Sequence, residues 1–510
     1  MFLSYLRLNI GRTRPLRSVS TFSILILLLI VSPVEYYSFN QRANADGLSQ
    51  ENLPPATIGN RHASLYLKVN PPVLTTAAAQ NAYMQFRLFD ANNNQTIQHV
   101  TYQITVTRGT SSSTREKPLL LDFFHAHNGL LTLKVEPTNG PLTIFGEQDP
   151  FLQAWVADPG GNILVKGPLL LQGGLYHFHI EIFSIDNDRN IFIPAQAPKF
   201  DAYLSVGDVY HNNWNVLGQI HNTTLISYYD KINNLNLQPA IKSFTWSMPF
   251  NWNLSRIKQQ PIFVHEEMRL PKSWKGFGDL TQFNATVNGQ PLSGRSLAID
   301  PFSFPNDMVV HFLVNKNDIV NLAQQVNNNN AAGGITKTNT TGLMKFALSP
   351  LNATTQIATS SDIPTNTGSI HAAVSWSPNP LAANSQSTLK ISFYDPTATA
   401  PLTNTNVKYN LIIFDKNNHP VITKQNLLAK NAADTQTIVF PANEIYHMEV
   451  QITGLVKAGQ TPDLTRNGVA TGYVVVPEFP TMTSTILVIG GLFAALIVIQ
   501  RTSSKKTNWL

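Results

Sequence analysis

A two-residue rhythm constrains this chain more than any other feature. From Ser243 to Trp252 the sequence reads SFTWSMPFNW, so Phe244, Trp246, Met248, Phe250 and Trp252 fall on one side of an extended backbone. The same alternation recurs in VTYQI (100–104), LYHFHIEI (175–182), VKYNL (407–411) and IYHMEVQI (445–452), in a chain punctuated by Pro, Asn, Asp and Gly. Half-buried antiparallel strands carry this pattern. Cysteine is absent, so packing alone must hold the strands together, and thiolate metal ligands and cysteine nucleophiles are excluded. The expected fold class is all-β.

Internal repetition refines that expectation. VNPPVL (69–74) parallels SPNPL (377–381), LFD (88–90) parallels FYD (393–395), and LYHFHIEI parallels IYHMEVQI. Two copies of one module thus flank a different middle, and their strand spacing resembles immunoglobulin-like β-sandwiches in tandem. Tyr176 and Tyr446 begin matching strands just after turn-like stretches, where a tyrosine corner would bond its hydroxyl to upstream backbone. Tyr102 and Tyr176 lie 74 residues apart but Tyr409 and Tyr446 only 37, so the first copy is expanded. The boundaries expected are an expanded sandwich at 60–196, an aromatic-rich β domain at 198–325 with a short helix near DIVNLAQQV, a flexible linker at 326–369, the second copy at 370–458 and a stalk at 459–480.

The two ends differ from the body. Arg7, Arg12, Arg14 and Arg17 precede FSILILLLIV (22–31), a ten-residue apolar run that fits the core of a signal peptide spanning 1–45, with Ala43-Asn44-Ala45 as a cleavage candidate. An uncleaved N-terminal anchor is the alternative. At the other end, residues 481–499 hold no charge and are long enough to span a bilayer as a transmembrane helix. Arg501, Lys505 and Lys506 follow in a basic tail at 500–510, which places the body outside the cell. The net charge of +6 is concentrated in these ends, since residues 46–480 hold 28 basic and 29 acidic side chains. A neutral body argues against nucleic acid as a partner.

VVVPEFP (474–480), a spanning segment and a basic tail, in that order, resemble the PEF-type sorting signal of archaeal exported proteins. Pro480 stands where a frequent PEFG form has glycine. The resemblance implies a cell-surface protein attached to the membrane and processed by an archaeosortase. Sequons begin at Asn94, Asn222, Asn253, Asn284, Asn339 and Asn352, in keeping with a glycosylated outer surface.

Chemistry concentrates in histidine. His177 and His179 project from the face opposite Tyr176, Phe178, Ile180 and Ile182, and His125 and His127 form a second such pair in LDFFHAHNGLL. Two imidazoles at i and i+2 reach one ion but do not complete its shell, so the expectation is that His125, His127, His177 and His179 converge on copper or zinc. The second copy has His447 and Glu449 in place of His177 and His179. Other groups are weaker. His265 and Glu267 share one strand face, with Arg269 or Lys272 as surface ion partners, and Asp279 and Asp300 stand as remote carboxylates. Trp214, Trp252 and Trp274 offer either a core or a sugar-stacking platform. The function expected is a structural or binding role at the cell envelope, without catalysis and with metal held outside the membrane. An adhesin or glycan-binding protein is the alternative, with envelope proteins or glycans as partners, and a secreted hydrolase stands third.

Overall fold

The computed structural model describes residues 49–75, 81–108, 118–260, 262–278, 283–292, 296–300, 304–332, 341–351, 359–365, 369–395 and 401–477. The signal-peptide and membrane-helix expectations lie outside these residues, as do Asn339, Asn352, Asp279 and the end of the PEF motif. No helix among the described residues is long and apolar enough to cross a membrane. The protein is mostly β-sheet, arranged as six sheets around three hydrophobic cores.

The first core lies between two sheets. Seven strands form their framework: β1 (Arg61–Asn70), β2 (Tyr83–Asp90), β3 (Val100–Arg108), β4 (Leu120–Ala126), β5 (Leu130–Pro137), β6 (Gly174–Ser184) and β7 (Lys199–Val206). One sheet runs β1-β2-β5 and the other β7-β6-β3-β4. Short strands at Thr143–Phe145, Glu147–Asp149, Ala154–Val156 and Asn162–Gly167 extend both sheets beyond this framework. They account for the residues that lengthen the interval between Tyr102 and Tyr176. On β6 the alternation is realised, with Tyr176, Phe178, Ile180 and Ile182 at 0–1% exposure and His177, His179 and Glu181 outward. Each such core side chain contributes about 1.5–3 kcal/mol of burial free energy. β7 belongs to this first sheet pair, so the module continues to Val206 rather than ending at 196.

The middle core is built from β8 (Asp208–Val216), β9 (Gln219–Ser227), β10 (Asn233–Gln238), β11 (Ser243–Asn251), helix α1 (Leu254–Gln259), β12 (Val264–Pro271), β13 (Phe283–Val287), β14 (Leu297–Asp300), β15 (Asp307–Val314), helix α2 (Lys316–Ala332) and β16 (Thr341–Pro350). Its sheets are ordered β8-β9-β12-β15-β14 and β10-β11-β16-β13. The expected linker at 326–369 therefore contains part of a helix and a central strand. Met344, Phe346 and Leu348 alternate along β16 at 0–2% exposure, all three paired with β11 and the last two also with β13. These three apolar residues suffice to anchor a central strand although the stretch around them is rich in Asn and Thr. Trp246, Trp252 and Trp274 are 2–5% exposed and belong to this core, so Trp252 and Trp274 do not form a sugar platform.

The third core repeats the first in strand order. β17 (His371–Ser377), β18 (Gln386–Tyr394) and β21 (Ala433–Val439) form one sheet, while β20 (Pro420–Ala429), β19 (Thr405–Phe414), β22 (Ile445–Lys457) and β23 (Gly468–Val475) form the other. Strand for strand, β17-β18-β21 corresponds to β1-β2-β5 and β23-β22-β19-β20 to β7-β6-β3-β4. The Tyr446 hydroxyl donates to Ala442 O at 2.8 Å and the Tyr176 hydroxyl to Gln172 O at 2.5 Å, each four residues upstream. Residues expected as a stalk instead supply β23 and, just before it, Arg466. That guanidinium joins Glu51, near the start of the described chain, at 2.6 Å and also bonds Asp395.

Candidate metal centre

Strand order decides which histidines meet. β3 lies between β4 and β6, with Thr101 opposite His125 on one side and Ser184 on the other, whereas His177 and His179 face Thr107 and Thr105. Four residues along the strand and two strand spacings across the sheet separate the pairs by roughly 16 Å. The four imidazoles named from the sequence therefore do not converge.

His125 and His127 instead meet two residues that the sequence reading passed over, His99 and Asp188. His125 Nε2 lies 3.3 Å from His127 Nδ1, which lies 3.4 Å from His99 Nδ1. Asp188 Oδ1 completes the ring at 3.1 Å from His99 Nδ1 and 3.4 Å from His125 Nε2. All four donor atoms fall within 4.8 Å of one another. Ligands at 2.0–2.1 Å from a tetrahedral ion are about 3.3 Å apart, so these separations match the edges of a four-coordinate shell.

Three local devices build the cluster. His125 points away from the sandwich core, yet it is only 1% exposed. Its Nδ1 is 2.8 Å from Thr101 Oγ1, which also accepts a bond from the Ser184 hydroxyl at 2.7 Å. With the Nδ1 hydrogen donated to Thr101, the Nε2 lone pair faces the other three donors, the second-layer arrangement that orients metal-binding histidines. His99 sits just before β3 at φ 51°, a left-handed conformation that few non-glycine residues adopt, and its N–H donates to His127 O at 2.9 Å. Gly129, at φ 73°, closes the turn after His127, and a Cβ there would stand 1.8 Å from Ile97 O. Only glycine lets the chain carrying His99 lie so close to that turn. Asp188 comes from the loop after β6, latched by the Asp186 N–H donating to Gln98 O at 2.9 Å and by Arg61, which bonds both Asp186 carboxylate oxygens at 2.8 and 3.1 Å.

Burial pushes the His125 imidazole below its ordinary range, with Asp188 opposing and His127 and His99 adding to the shift. A neutral His125 keeps the lone pair that an ion needs. His99 and Asp188 side chains are 39% and 41% exposed, so the centre opens to solvent.

His177 and His179 have a different role. Asp201 Oδ1 accepts from His177 Nε2 and His179 Nδ1, both at 2.9 Å, while Glu181 Oε1 lies 3.1 Å from His179 Nε2 and 3.0 Å from Lys199 Nζ. Burial lowers the His179 pKa, but its hydrogen bonds to Asp201 and Glu181 outweigh that and raise it. This is a surface network of imidazoles and carboxylates spanning β6 and β7.

The remaining sequence candidates also have definite places. Glu267 pairs with Arg269 at 2.5 Å, as the shared strand face suggested, but His265 and Glu267 are 2% and 0% exposed and so are not surface charges. Asp300 is 7% exposed. Asn222 and Asn284 are exposed, Asn94 holds Arg87 through its side chain, and Asn253 caps α1 by accepting from Arg256 N. A polar cavity of about 550 Å3 on the middle module is lined by His221, Asn222, Lys272 and Asn306 among others.

No family model matches the chain, and no curated protein matches it. Among solved structures, the chain is similar to a Salmonella alpha-2-macroglobulin at 8% identity and TM-score 0.16, over 83% of this chain and 33% of that one. A polysaccharide lyase gives 8% identity and TM-score 0.14 over 84% and 47%. An Escherichia coli alpha-2-macroglobulin gives 8% and 0.14 over 84% and 42%. The chain spans between a third and a half of the length of these structures, and overlap this slight carries no functional argument.

Proposed function

We propose that the protein is an exported, membrane-anchored cell-envelope component that binds zinc or copper(II) on its outer side through His99, His125, His127 and Asp188. The carrying observation is the ring of four donor atoms with neighbouring separations of 3.1–3.4 Å, on loops latched by Gly129 and by the bond from Asp186 to Gln98. Three imidazole nitrogens and one carboxylate are a donor set that suits a borderline divalent ion. The role is binding without catalysis. Modules one and three are immunoglobulin-like copies in this reading, with only the first, through its expansion and its loops, adapted to hold metal. A C-terminal membrane helix, archaeosortase processing and contact with envelope proteins or glycans complete the proposal and rest on the sequence motifs alone.

Calorimetric titration of the full chain with zinc and with copper(II) tests the metal reading. The expected result is one readily exchanging equivalent per chain, lost in His99→Ala and in His125→Ala but kept in a His177→Ala, His179→Ala double variant. Absence of binding heat in the parent, or an unchanged equivalent in folded His125→Ala, removes the site. The polar cavity on the middle module supports the glycan-binding alternative, which a glycan array on parent and Lys272→Ala protein would decide.

A further inference from the structure

A second set of metal-donor side chains lies in the middle module. His265 and Glu267 leave the same face of β12 two residues apart, and β15 places His311 directly opposite Glu267. One donor atom from each lies within 4.8 Å of the others, and His265 Nε2 is 3.2 Å from His311 Nδ1. That spacing again approaches the roughly 3.3 Å edge of a tetrahedral shell. Exposure separates this group from the first, since His265, Glu267 and His311 are 2%, 0% and 4% exposed. They sit in the sheet whose edge strand, β14, touches Asp362–Pro364 and β23 of the third module.

The surroundings hold each donor in place. Arg269 Nε donates to Glu267 Oε1, and its guanidinium lies 4.2 Å from the Phe304 ring centroid. The Tyr228 hydroxyl donates to Glu267 Oε2 at 3.4 Å, and the Tyr228 ring stacks on His265 at 4.7 Å and 17°. Metal-binding carboxylates and imidazoles are fixed by such outer contacts. His265 Nδ1 is buried with no hydrogen-bond partner, which costs the folded state free energy. An ion bound at Nε2 adds its binding free energy to the folded state and so offsets that cost. Two imidazoles and one carboxylate form a donor set that zinc adopts with its fourth position left to another ligand.

We propose that His265, Glu267 and His311 form a second zinc centre, enclosed in the middle module and exchanging slowly because its ligands are out of solvent. It shares no residue with the first centre, so either can fail alone. The test uses the full chain carrying His125→Ala and His127→Ala, which disables the first centre. This protein is unfolded, refolded with zinc and treated briefly with a chelator, and its zinc is then counted by elemental mass spectrometry. One retained zinc per chain, released only on unfolding in urea, is expected, and adding Glu267→Gln or His311→Ala should reduce it to none. Should those variants fail to fold, refolding the His125→Ala, His127→Ala protein with cobalt(II) decides the matter, since a tetrahedral visible spectrum is expected. A folded protein that retains no zinc and shows no cobalt absorption, or that keeps its zinc in folded Glu267→Gln and His311→Ala variants, overturns the proposal.

Discussion

His447 ties the stability of the third module to pH. Its side chain is 10% exposed, stacked on Phe414 at 5.3 Å, with Glu449 no closer than 3.9 Å. Burial pushes its pKa from 6.5 down to about 4, with Asp300 opposing. A histidine whose folded value lies below its unfolded value takes up fewer protons when folded. Its stabilising effect is therefore complete above pH 6.5 and disappears as the pH falls toward 4. At 1.36 kcal/mol per pKa unit, the folded state loses about 3 kcal/mol across that window. His447→Phe keeps a ring against Phe414 but cannot take a charge. In urea unfolding at pH 7 and pH 4, the parent midpoint should fall about 1–3 M further than that of the variant, given the usual denaturant slopes. Comparing the two proteins cancels the carboxylates that titrate in the same range. Equal falls in parent and variant would refute a neutral buried imidazole at this position.

Other consequences can be measured in the same way. Arg466→Met leaves Glu51 and Asp395 without their shared cation, and thermal unfolding should register about 3–5 kcal/mol of destabilisation. Tyr446→Phe removes a hydroxyl that both donates to Ala442 O and accepts from Ala442 N, so a loss of about 1–3 kcal/mol is expected in chemical denaturation. Gly129→Ala forces the chain at Ile97 away and displaces His99, and calorimetry should show metal binding to the first module weakened at least tenfold, or about 1.4 kcal/mol.

How much of the site was legible in sequence depends on which contacts are local. The i, i+2 rule identified His125 with His127 and His177 with His179 as pairs, and each pair does share surroundings in the structure. His99 and Asp188 carry no such signature. One is a single histidine before a strand and the other a single aspartate in a loop, and they reach His125 through contacts distant in sequence, among them His99 N to His127 O and Asp186 N to Gln98 O. Glu267 was correctly placed beside His265 and Arg269, but its burial depends on the cover supplied by neighbouring segments.

Sequence alone determined the strongly alternating strands such as β6, β11 and β22, the faces they bury, the Tyr446 and Tyr176 hydroxyl contacts and the parallel between the outer modules, because a side chain's face follows from a two-residue period that each such strand carries within itself. Tertiary structure decided that β3 separates β4 from β6, that Met344, Phe346 and Leu348 complete a sheet within an apparent linker, and that His99 and Asp188 rather than His177 and His179 stand beside His125 and His127. Strand neighbours and loop closures are set by the packing of distant segments, and no local spacing of residues encodes them.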